Sequence, residues 1–105
     1  MGPGLLESVY QQCLAKEFNI RGLSYQKEVN IPLLYKGFVL NKDYVIDMLV
    51  ENEIVLELKA VESILPVHEA QLISYLKLAD KRLGFLINFN VPLLKNGFKR
   101  FVNNF

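Results

Sequence analysis

The feature that most limits how this chain can fold is a pair of β-rich runs, residues 43–50 and 54–61, separated only by Glu51-Asn52-Glu53. That spacing is a hairpin signal. Side chains along an extended strand alternate between faces. On the first run Tyr44, Ile46, Met48 and Val50 therefore share one side, and Val45, Asp47 and Leu49 the other. On the second, Ile54, Leu56, Leu58 and Ala60 oppose Val55, Glu57, Lys59 and Val61. The short loop pairs Val50 with Ile54, Met48 with Leu56 and Ile46 with Leu58, which makes one face wholly apolar. A slip of one residue would turn that face to solvent, so the register is well specified.

The same register sets Asp47 opposite Glu57 and Val45 opposite Lys59. Directly opposed residues have Cβ atoms about 5 Å apart, and like charges there repel. Leu49, Val55 and Val61 flank the pair and give it a partly buried setting, which sharpens the need for a counter-charge. Two readings stay open on these residues alone. Lys59 can supply the charge in a salt-bridge cluster, or a hard divalent cation can, since such ions take carboxylate oxygens, waters and substrate phosphate.

Elsewhere the spacing predicts a helix over residues 4–21, with Leu5, Leu6, Val9, Tyr10, Cys13, Leu14 and Phe18 as its apolar stripe and Gly22 as its C-terminal cap. Gln26 to Tyr35 reads as a strand that Pro32 confines to an edge or bulges, and Lys36-Gly37 as a turn. Ser63 to Leu78 returns to helical spacing, with Leu72, Ile73, Leu76 and Ala79 apolar and Pro66 tolerated near its start. Arg82 to Phe89 reads as a buried strand and Gly97 to Val102 as a short final one. The order is α-β-β-β-α-β with a last short strand, an α/β domain occupying residues 1–105.

Composition narrows the function classes. Apolar residues make up 51% of the chain, in short runs that never approach the roughly 20 needed to cross a bilayer. Met1-Gly2-Pro3-Gly4 offers no basic or apolar leader, so no signal peptide is expected. Cys13 has no cysteine partner, and its helical setting reads as a buried thiol in a reducing, cytoplasmic protein. The net charge of +1 does not announce a nucleic-acid binder. Any basic surface must be local, drawn from Lys77, Lys81 and Arg82 or from Lys95, Lys99 and Arg100.

Asp47, a nine-residue gap, and Glu57-Leu58-Lys59 on a strand leading into a helix resemble the PD-(D/E)XK nuclease superfamily. Gly4-Leu5-Leu6-Glu7-Ser8-Val9-Tyr10 resembles the GxxExxY motif that names one family within it. Tyr35-Lys36-Gly37, the run Glu57 to Glu62, His68-Glu69-Ala70-Gln71-Leu72 with Ser74-Tyr75-Leu76, and Gly84 to Phe89 extend the likeness to residue 102 or so. The resemblance implies a restriction-endonuclease-like core, a mixed sheet of four to five strands flanked by helices. It also implies hydrolysis of phosphodiester bonds in DNA, with RNA the less favoured substrate, using Mg²⁺ or Mn²⁺. The short apolar runs argue against a membrane, and the small size and low net charge point to a homodimer as one way to build a binding surface.

Residue by residue, the resemblance implies that Asp47, Glu57 and the Leu58 main-chain carbonyl hold the metal and that Lys59 assists the attacking water. Glu7 becomes the helix-borne acid of the site. Read from the helix alone, a glutamate in its first turn also suits the helix dipole. Gln71 and Tyr75, one turn apart, resemble a QxxxY element beside the active site. His68 shares their edge and can either touch phosphate or serve the helix start. The superfamily's proline is Ile46 here, the arginine many relatives carry two residues before the aspartate is Val45, and relatives usually continue with a further helical stretch before Gly2. A silent copy of the fold that binds nucleic acid or a protein is the alternative reading.

Overall fold

The computed structural model describes residues 3–35, 38–89 and 97–103, with side chains over 6–31, 44–89 and 97–103. The turn expected at Lys36-Gly37 and the basic Lys95 lie outside them. Helix α1 (Pro3–Ile20) is followed by strands β1 (Tyr25–Tyr35), β2 (Phe38–Val50) and β3 (Ile54–Lys59), helix α2 (Pro66–Leu78), and strands β4 (Leu83–Asn88) and β5 (Phe98–Val102). The strands form one sheet in the order β1-β2-β3-β4-β5. Only the β3–β4 neighbours run parallel, joined by α2 as their crossover. This is the expected mixed sheet flanked by helices, the α/β arrangement of restriction-endonuclease-like domains.

Each helix covers its own part of the core. Leu72, Tyr75 and Leu76 of α2 pack with Ile31, Ile46, Leu49, Val55 and Leu86. Ala15, Leu14 and Phe18 of α1 pack with Met48, Val50, Leu56, Leu58 and Ile87. Gly22 ends α1 as expected, with a left-handed φ of 72° that leads into the Leu23 N–H to Phe18 carbonyl bond at 2.9 Å. The register shift between Pro32 and Leu34 fits the bulged edge strand read from Pro32.

Four expectations are corrected. Cys13, expected as a buried thiol, is exposed, and Val9 is 42% exposed. At about 100° per residue the face centred on Gln11, Leu14, Ala15 and Phe18 lies opposite Val9 and Cys13. Ile73, placed in the α2 stripe, is 39% exposed, and Tyr75 takes the buried position instead. Helix α2 begins at Pro66 rather than Ser63, because proline is favoured in a first turn and disfavours helix before itself.

The fourth correction concerns the hairpin. Val50↔Ile54 and Met48↔Leu56 pair as expected, and the ladder stops there. The apolar face of β2 is not continuous. Met48 and Val50 pack beneath α1, whereas Tyr44 and Ile46 pack with the α2 cluster. Strand β1 changes sides at the same rung, since Tyr25 belongs with α1 and Val29 and Ile31 with α2. Lys27↔Met48 and Val29↔Ile46 bracket that rung. Between them stand Glu28, with a left-handed φ of 54°, and Asp47. The turnover of both strands is centred on the aspartate.

Candidate metal centre

A residue at which two strands change sides cannot keep a regular ladder, and its backbone polar groups must bond elsewhere. Asp47 meets that need through side chains. Its N–H donates to Glu57 Oε1 at 3.3 Å, and its carbonyl accepts from Gln11 Nε2 at 2.9 Å. The Asp47 carboxylate in turn accepts the Leu58 N–H at 2.8 Å. One helical turn before Gln11, Glu7 Oε1 accepts the Ala60 N–H at 3.1 Å. Helix α1 thus grips β2 with one side chain and the end of β3 with another. Tyr10 fixes that helix by stacking on Phe89, ring centroids 4.0 Å apart and planes within 5°.

Glu7, Ser8, Gln11, Glu28, Asp47 and Leu58 line a polar cleft of about 140 Å³. Glu57, bonded to the Asp47 N–H, is only 4% exposed. Burial, reinforced by the charge of Asp47, pushes the Glu57 carboxyl up to about 8. Burial raises Asp47 as well, against the lowering effect of the Leu58 N–H and of Lys59. Lys59 acts on both acids through space, yet among the described residues it forms no ion pair with either. The salt-bridge cluster that the sequence left open is therefore not formed.

A buried and a half-buried carboxylate with no contacting cation among the described residues are a hard oxygen donor set when ionised, and such a set fits a hard divalent ion. Among the described residues no three His, Cys, Asp or Glu side chains stand close enough together to enclose a metal. Each of Asp47, Glu57 and Glu7 also accepts a main-chain N–H with one carboxylate oxygen and keeps the other. A site here draws on two carboxylates and main-chain or water oxygens rather than on an acidic cage.

Gln71 and Tyr75 are joined as expected at adjacent turns, Gln71 Nε2 donating to the Tyr75 hydroxyl at 2.9 Å. Burial and then the Glu57 charge push the Tyr75 hydroxyl up, so its oxygen feels the acidic pair. His68 is drawn instead to the helix start, where its Nδ1 accepts the Leu65 N–H at 3.0 Å. The basic residues do not converge on the acids. Lys99 pairs with Glu69 at 2.6 Å. Lys81 and Arg82 line a separate cleft with Asn52, Glu53 and Asp80, at the opposite end of β3 and β4 from Glu57 and Lys59.

Three participants escaped the sequence. Gln11 carried no signal beyond lying one turn from Glu7. Glu28 read as the outward residue of an ordinary strand. Asn88, 2% exposed, holds Val61 through both its amide atoms, at 3.1 Å to the N–H and 2.9 Å to the carbonyl, and so fixes the chain just beyond Lys59. A lone polar residue inside Leu86-Ile87-Asn88-Phe89 was its one available mark.

A family model described as the PD-(D/E)XK nuclease superfamily matches residues 1–101. No curated protein and no solved structure matches the chain. Among the described residues no helix is long and apolar enough to cross a membrane.

Proposed function

Because the chain belongs to the PD-(D/E)XK nuclease superfamily, we propose that it is a metal-dependent nuclease of the GxxExxY branch that hydrolyses phosphodiester bonds in DNA. The observation that carries this reading is the bonded pair of a half-buried acid, Asp47, and a buried one, Glu57, both raised in pKa with no contacting cation among the described residues to neutralise them. Perturbed acids gathered at a cleft are the usual mark of a working site.

Asp47, Glu57 and the Leu58 carbonyl hold Mg²⁺ or Mn²⁺ in this reading. A divalent ion bound there lowers the pKa of its water and polarises a phosphoryl oxygen. Lys59 orients the attacking water and steadies the charge that develops on phosphate. Glu7 is the helix-borne acid of the site, and its bond to the Ala60 N–H limits how far α1 stands from the end of β3. Gln71 and Tyr75, whose hydroxyl feels the Glu57 charge, approach the phosphate from α2. Residues 1–105 act as one domain in the cytoplasm, and a second copy enlarges the nucleic-acid surface that a net charge of +1 leaves small.

The engagement of all three acids with backbone N–H groups favours one competing reading, a silent nuclease fold in which these carboxylates only brace the strands. Cleavage assays separate the two. Wild-type protein with Mn²⁺ is expected to cut single- or double-stranded DNA, and Lys59→Ala to lose at least about a hundredfold in rate while still binding the metal. No cleavage of any DNA or RNA by the wild type, with equal metal binding by an Asp47→Ala variant, sinks the nuclease reading.

A further inference from the structure

Asp47 sits where β1 and β2 both change sides, and three bonds hold it there. Two of them, Asp47 N–H to Glu57 Oε1 at 3.3 Å and Leu58 N–H to Asp47 Oδ2 at 2.8 Å, use the carboxylate oxygens of the proposed ligands themselves. Those two must loosen or share when a cation draws on the same oxygens. The third, Gln11 Nε2 to the Asp47 carbonyl at 2.9 Å, uses no ligand atom. It can keep the main chain turned whether or not a cation draws on the carboxylates.

Resting on the nuclease reading of this site, we infer that Gln11 is a positioning residue, which holds the Asp47 main chain so that its carboxylate faces Leu58 and the cleft. Its anchor is rigid. Ala15 is 6% exposed in the core one turn further along, and Tyr10 on the same helix is stacked on Phe89. The chemistry of the side chain also suits the place. A carboxamide donates to a carbonyl without adding charge, whereas a carboxylate there would repel the carbonyl and join Glu7, Glu28 and Asp47 around one small cleft. Residues that bond to a metal ligand from outside the coordination sphere commonly govern its affinity by about 10–100-fold.

Gln11→Met keeps the length of the side chain and removes the donor. Two readouts test it, one of them needing no metal. Amide exchange in the metal-free variant is expected to quicken about fivefold or more at Leu58, whose N–H rests on the Asp47 carboxylate, and to stay unchanged at Ala60, whose N–H rests on Glu7. Mn²⁺ titration is expected to show a Kd weakened by about 10–100-fold, with the exposed neighbour Gln12→Met behaving as wild type. Unchanged exchange at Leu58 overturns the inference, and so does equal quickening at Leu58 and Ala60, which means the helix has merely loosened. If the wild type binds no Mn²⁺, the nuclease reading fails by itself and the exchange data still decide the role of Gln11.

Discussion

Glu57 holds the main chain of Asp47, its Oε1 accepting the Asp47 N–H at 3.3 Å, while Asp47 Oδ2 takes the Leu58 N–H beside Glu57 at 2.8 Å. Each acid is thus braced by the other's strand rather than spread apart by repulsion. The exchange of side chain for ladder keeps two carboxylates near one another, Asp47 half-buried at the cleft and Glu57 buried. Burial disfavours the charged form of both, and Glu57, the deeper of the two, rises to about 8.

That shift fixes how stability depends on pH in the metal-free protein. In the unfolded chain Glu57 loses its proton near 4.5, whereas in the folded protein it keeps the proton to about 8. Between those values the folded state binds more protons, so stability is fully present below about 4.5 and is lost as pH rises to 8. Asp47, also raised, acts in the same direction. Thermal melts without metal should therefore show Tm falling from pH 5 to pH 8. Glu57→Gln keeps an acceptor for the Asp47 N–H and cannot ionise, so it should raise Tm at pH 8 and flatten the profile. A wild-type Tm that climbs across this range contradicts the account.

A divalent ion reverses the preference because it binds the ionised carboxylates. Mn²⁺ affinity should rise with pH up to about 8, the value to which Glu57 is pushed, and then level off. At pH 8 Mn²⁺ at about a hundred times its Kd should recover a large part of the Tm lost since pH 5, since it stabilises by about 2.7 kcal/mol. Asp47→Asn should abolish that recovery. Calorimetric titration at three pH values, with release of protons on binding, measures the linkage directly.

The parts of this fold that were legible in the sequence are those governed by uninterrupted periodicity. Val50↔Ile54 and Met48↔Leu56 follow from alternation, and the α2 crossover follows from its flanking apolar runs. Periodicity failed where polar residues take an inward post. Glu7 and Gln11 face the sheet because the site's backbone needs an acceptor and a donor there, which rotates α1 and leaves Val9 and Cys13 outward. The turnover at Glu28 and Asp47 left no mark, since a left-handed φ is ordinarily signalled by Gly or Asn and here falls on a glutamate. The acids were legible as neighbours across the hairpin, although the ladder stops at Met48↔Leu56 and does not set Asp47 opposite Glu57. Their brace was not, because it is made by groups that any strand possesses.

Tyr75 combines a core ring with a hydroxyl turned toward Gln71 and the acids. The ring packs with Tyr44 at 5.5 Å between centroids, and the residue is 4% exposed. Tyr75→Phe keeps the ring and should change stability by about 1 kcal/mol, the usual worth of one hydrogen bond. Tyr75→Ala should cost about 3–5 kcal/mol as an emptied aromatic site. If the hydroxyl serves phosphate, Tyr75→Phe should cut DNA cleavage by about tenfold or more while leaving Mn²⁺ affinity alone. Equal cleavage by Tyr75→Phe would reduce Tyr75 to a packing residue.

Gly84 decides how closely α2, with Gln71 and Tyr75, approaches the sheet. A Cβ at this position would meet Leu72 Cδ1 at 3.0 Å, Leu76 Cδ2 at 3.1 Å and the Val55 carbonyl oxygen at 3.3 Å. The leucine methyls can give way, but the main-chain oxygen belongs to the central ladder and cannot. The added methyl therefore crowds the seat of Leu72 and Leu76, through which α2 rests on the sheet. Gly84→Ala should cost about 1–3 kcal/mol as overpacking. Leu72→Ala alone should cost about 2–5 kcal/mol as a cavity. The two defects are complementary, because the alanine methyl fills part of the space the leucine leaves. The double variant should then be more stable than the sum of the single costs implies, by a coupling of about 0.5–3 kcal/mol. Urea unfolding of the four proteins measures that coupling, and strictly additive costs would show that Gly84 does not set the height of α2.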